Sequence, residues 1–209
     1  MTSTVDLKDE YDVTAVPSIV LGSIKLGLLE TVIVLLFSLA SRFLGGLLET
    51  IVCGLIVLLG LAVVTMLPGL WTRARTIEGI AGAAGIGLGA AGVFLLLDVM
   101  LLQNIGTYSD RWYDVGGGSN WWYHPVWWMV GSFLPWMGAW ILANQTERQG
   151  RPAAAAGLIT ALVLAVITAV LAVLLRFPGA RWTLATFAVA FLPGLVLATI
   201  ASGIGKRRT

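Results

Sequence analysis

From Arg151 to Arg176, and again from Arg181 to Lys206, no ionisable residue interrupts a run of alanine, valine, leucine and isoleucine. A segment of about 20 mostly apolar residues is what a helix needs to cross the hydrocarbon of a bilayer, at about 1.5 Å per residue. Inside lipid every backbone group has to be bonded within the segment, so such runs are helical. Only 11% of the 209 residues are charged and 58% are hydrophobic, with a mean hydropathy of +0.90. Soluble domains carry roughly 25% charge, and none of this size has enough interior to hide so many aliphatic side chains. The sequence therefore predicts an all-α integral membrane protein.

Six runs qualify, at about 24 to 44, 47 to 69, 77 to 103, 124 to 144, 153 to 175 and 182 to 203. A five-span arrangement, merging the first two runs, ranks second. Glycine and proline punctuate the breaks at Gly45-Gly46, Pro68-Gly69, Pro152 and Pro178-Gly179. The expected organisation is an N-terminal segment (1–23) with an interfacial lead-in, one transmembrane domain (24–203) with an outer loop at 104–123, and a basic tail (204–209). Pro17 suggests the break that makes 13–23 a lead-in, and a longer, tilted first helix is the alternative.

Lysine and arginine stay preferentially on the cytoplasmic side of short loops. With both termini inside, Lys8, Arg73, Arg75, Arg148, Arg151, Lys206, Arg207 and Arg208 collect on the inner face, against Arg42, Arg111, Arg176 and Arg181 outside. The expectation is N-in, C-in, multi-pass, in an inner (cytoplasmic) or intracytoplasmic membrane. Residues 1–16 hold five charged residues but no basic region followed by a cleavage site, so they do not read as a signal peptide. The single cysteine, Cys53, has no intrachain partner, and the net charge of +2 gives no ground for a nucleic-acid partner.

Two consecutive runs open with the same pentapeptide, GLLET, at 27–31 and 46–50. In one continuous helix the offset would leave Glu30 and Glu49 about 100° apart. In a hairpin turning near Gly45, Glu30 is about 22 Å from the turn and Glu49 about 6 Å. The two carboxylates then sit towards opposite faces and form no close pair, which reduces the echo to chance or an old duplication.

Ionisable groups within spans are costly and mark candidate sites. Lys25, Arg42, Glu78 and Arg176 lie close enough to span ends to reach water. Glu49 and Asp98 are the candidate ion or proton site, each about one turn or more inside the same face. Pairing with Arg42 or Arg176 is the structural alternative.

Ala81, Gly85, Gly89 and Gly92 recur at four- and three-residue spacing, a face that lets another helix approach to backbone contact. Between Asn104 and Met129 lie Tyr108, Trp112, Tyr113, Trp121, Trp122, Tyr123, Trp127 and Trp128. Such rings favour the headgroup level, and a surface of this kind also suits docking. Gly85, Gly89, Trp112, Trp121, Trp122, Trp127 and Trp128 are therefore the candidate partner-binding residues. His124, the only histidine, excludes centres that need several, but one imidazole suffices as an axial ligand for a pigment or haem. No nucleophile, base and metal set assembles from one cysteine and one histidine, so neither a catalytic residue nor a metal site is expected.

Two functional expectations follow. The first is a non-catalytic accessory or structural subunit of a larger membrane complex, in a bioenergetic (photosynthetic or respiratory) setting, with other integral membrane subunits and lipids as partners and a bound pigment or lipid as cofactor. The second is a small transporter or channel using Glu30, Glu49 and Asp98.

Overall fold

The structure is a computed structural model; it describes residues 15–110, 112, 123–149 and 152–204, with backbone alone at 123–128 and 148–149. Six helices make up the fold among the described residues. They are α1 (Val16–Phe43), α2 (Gly46–Trp71), α3 (Ile77–Leu97), α4 (Tyr123–Gln149), α5 (Ala154–Leu174) and α6 (Leu184–Gly203), and a π-helical turn (Asp98–Leu102) prolongs α3. No strand occurs among the described residues. Among the described residues five helices, α1, α2, α3 with its π-helical turn, α5 and α6, are long and apolar enough to cross a membrane, the pattern of a multi-pass membrane protein.

Local chemistry explains the boundaries. Pro17 lies in the first turn of α1, where its missing N–H would have no helical partner in any case. It therefore starts a helix rather than breaking one, and the stretch expected as a lead-in is continuous with the first span. Leu44 and Gly45 are extended, and Gly46 adopts a left-handed φ of 63°, which turns the chain between the two GLLET copies. Thr76 and Thr183 cap α3 and α6, each accepting a backbone N–H three residues on at 3.4 Å.

Helices α1 and α3 run parallel along their whole length. Gly22 faces Ile86, Gly27 faces Ala90 and Val93, Val34 packs with Phe94 and Leu102, and Ser38 Oγ donates to the carbonyl of Thr107 at 2.5 Å. A Cβ on Gly27 would lie 2.9 Å from the carbonyl oxygen of Ala90, so only glycine permits this approach. Ser23 Oγ adds a bridge to the carbonyl of Ile86 at 3.2 Å.

Helix α4 is the hub and packs on α2, α3, α5 and α6. Gly87 of α3 meets the Gly131 backbone and Pro135, and Gly138 meets the Thr65 backbone of α2. The α6 side is a larger apolar cluster, with Leu134 and Ile141 against Phe191, Leu195 and Ala198. Helix α5 rests mainly on α6, where a Cβ on Gly194 would come within 2.6 Å of the Ala165 nitrogen.

Candidate functional site

Asp98 begins the π-helical turn and is 0% exposed. The turn closes with Gln103 N–H donating to the Asp98 carbonyl at 3.0 Å, an i to i+5 bond. That spacing stacks the two side chains, and Gln103 Nε2 donates to Asp98 Oδ2 at 2.8 Å. The chain beyond folds back so that Tyr108 hydroxyl donates to Oδ1. Tyr108 in turn meets Trp112 edge to face at 5.1 Å, and Trp112 meets Phe37 of α1 at 4.7 Å. A lid of two aromatic rings thus closes over a carboxyl group held by two neutral donors.

The arginine expected beside Asp98 is elsewhere. Arg42 donates to the carbonyl of Gly106 at 2.5 Å, tying the end of α1 to the left-handed turn after α3. An arginine side chain at the end of α1 reaches that exposed carbonyl without being desolvated, whereas burial beside Asp98 would strip its hydration. Nor do Asp98 and Glu49 share a cluster. Asp98 joins the Val34, Phe94 and Leu102 group through Tyr108, while Glu49 sits a turn from Cys53 in the group that includes Phe37 and Ala40.

Glu30 occupies the middle of α1, with about 20 Å of helix on either side, because the helix begins at Val16. It therefore lies halfway along the helix rather than near one end. It is 6% exposed, on the stripe that faces α3, one turn from Leu26 and Val34. Its Oε2 is buried with no hydrogen-bond partner. The Thr107 hydroxyl, above the same interface, is also buried and unpartnered.

Glu49 is 3% exposed and lines a cavity of about 730 Å³ between the first turns of α2, the last turns of α5 and the start of α6. Arg181, Thr183 and Thr186 bring polar groups to it, and Val166, Val170 and Phe187 form apolar wall.

The glycine face expected to receive a partner helix meets α1 of the same chain. Gly85 faces Ile19 at ordinary contact distance and Gly89 packs closely on Ser23, both on α1. Trp112 is half-buried and directed inward at Phe37 and Tyr108. Trp121 and Trp122 lie outside the described residues, as do the side chains of His124, Trp127 and Trp128 in the first turns of α4. Sequence reasoning missed Tyr108 and Gln103 as the partners of Asp98. Gln103 at i+5 carries no helical signal unless the π turn is known, and Tyr108 was absorbed into the aromatic belt. Compared with family models, curated proteins and solved structures, the chain shows no match in any of the three.

Proposed function

We propose that the chain is a small proton-linked membrane transporter, with Glu30 as the mid-depth proton carrier and Asp98 as the group that exchanges protons with the end of the bundle capped by Tyr108 and Trp112. One observation carries the reading: a buried carboxyl oxygen without a donor, halfway along a helix long and apolar enough to cross lipid. An oxygen so placed is where a mobile proton supplies the missing partner, and groups of this kind inside spans mark ion and proton pathways. A metal cation suits the place less well, since hard cations gather six or more oxygens and Leu26, Val34 and Phe94 make these surroundings apolar.

The route is short. Gly27 sits level with Ala90 and Val93 of α3, which puts Glu30 close to the level of Phe94; Asp98 is one helical turn, about 5 Å, beyond. Past Asp98, the hydroxyls of Tyr108, Thr107 and Ser38 lead towards the loop. The reading takes α4 as a sixth span and the arginine bias as the orientation, both termini inside, in an inner membrane. The chain is reconstituted in liposomes with an internal pH dye and a pH step is imposed. Wild-type protein is expected to dissipate the step and Glu30→Gln to slow this at least about tenfold, the range of a lost proton-transfer group. No dissipation by wild type, or equal rates for Glu30→Gln, overturns the reading.

A further inference from the structure

The cavity beside Glu49 is not needed for the α1–α3 route, and its chemistry is of a different kind. It opens where α2 makes little contact with the α5–α6 hairpin, all at one end of the bundle. Its floor is the aliphatic face of α5, Val166, Ala169, Val170 and Val173. At the rim stands Arg181, exposed, next to the first turn of α6, whose N-terminal amide groups carry the positive end of the helix dipole. The Thr183 and Thr186 hydroxyls lie beside it, 3.3 Å apart. Across the cavity is the Glu49 carboxylate, in the first turn of α2 and nearly fully buried.

A site with a cation and helix N-terminus on one wall, a carboxylate on the other and aliphatic side chains below matches one class of molecule. We infer that this cavity binds a zwitterionic phospholipid whose headgroup carries a primary amine, with the phosphate on Arg181 and the α6 N-terminus, the ammonium on Glu49 and an acyl chain along α5. Arginine is the natural partner of phosphate, and helix N-termini bind it through their free N–H groups. A carboxylate offers about four lone-pair positions, so an ammonium adds to whatever Glu49 already holds. A quaternary amine has no N–H to give it. The volume, about 730 Å³, falls in the ordinary range for ligand sites, roughly 300 to 1,000 Å³, and holds a headgroup with part of one chain.

The test is native mass spectrometry of the full chain released from nanodiscs of equimolar phosphatidylethanolamine, phosphatidylcholine and phosphatidylglycerol. Phosphatidylethanolamine is expected to be retained about tenfold over either competitor, the value of one charge-assisted hydrogen bond. Glu49→Gln should bring phosphatidylethanolamine down to the level of phosphatidylcholine, and Arg181→Gln should lower all three lipids together. Val170→Trp, which fills the floor without touching either charge, should empty the site. Equal retention of the three lipids by wild type, or selectivity that survives Glu49→Gln, overturns the assignment. Because the readout is lipid retention, it stands or falls independently of proton flux through Glu30.

Discussion

Replacing Tyr108 with phenylalanine removes one hydroxyl and keeps the ring that packs edge to face on Trp112. Asp98 is 0% exposed and has two donors, the Tyr108 hydroxyl on Oδ1 and Gln103 Nε2 on Oδ2, so the substitution strips Oδ1 of its hydrogen bond with no water to replace it. A hydrogen bond to a charged group contributes about 1.5 to 3 kcal/mol in soluble proteins, and bonds within membranes average about 0.6 with a maximum near 1.7 kcal/mol. About 1 to 2 kcal/mol is therefore expected, and a chain of 209 residues should melt roughly 2 to 8 °C lower. Thermal unfolding in mild detergent, followed by tryptophan fluorescence, measures it. Gln103→Leu should cost a similar amount, and the double variant more than the sum, because the last donor leaves a buried carboxyl group with none. Adding Asp98→Leu to that double variant should recover most of the loss, since removing every member of a polar cluster is far milder than removing one side of it. If Tyr108→Phe melts with the wild type, Asp98 does not depend on that hydroxyl and the lid over it is only packing.

Glu30→Met should raise stability by about 1 kcal/mol or more, because it removes a buried oxygen that has no partner, while abolishing any dissipation of a pH step; a loss of stability would mean Glu30 has a structural partner. Gly138→Ala should destabilise by about 1 to 3 kcal/mol, because its new methyl meets the Thr65 backbone, whereas Gly54→Ala faces open space and should be neutral or gain up to about 1 kcal/mol in denaturant titrations. Trp112→Ala should cost about 2 to 3 kcal/mol, below the full core value because the residue is half-buried, and should increase hydrogen exchange around Leu102 and Tyr108, against which it packs.

The apolar helices were legible because lipid leaves a long apolar segment one conformation, and most helix ends fall within a few residues of the hydropathy breaks. Pro17 was the exception, since proline both ends helices and starts them and only the continuation through Val20 and Leu21 decides which. The glycine spacing in α3 was legible as a close-packing face, but the identity of the partner depends on α1 lying parallel to α3, a non-local fact. The acidic residues were legible as candidates. Their partners were not: a regular helix puts i+4 above Asp98, and the extra residue of the π turn brings Gln103 there instead. The position of Glu30 halfway along α1 followed only once the helix was known to begin at Val16.

Helix α4 combines the weakest apolar character of the six with contacts to four other helices, and this bears on how the protein is made. Synthesised in order, α2 and α3 are complete before α4 emerges, so the backbone grooves that receive Gly131 and Gly138 are waiting for it. Its other flank, around Leu134 and Ile141, stays unmatched until α6 is complete. With α4 as the proposed sixth span, its entry into the bilayer is a cooperative step assisted by earlier segments and locked by the last one, and a nascent chain halted after Gln149 would hold that helix by one side only.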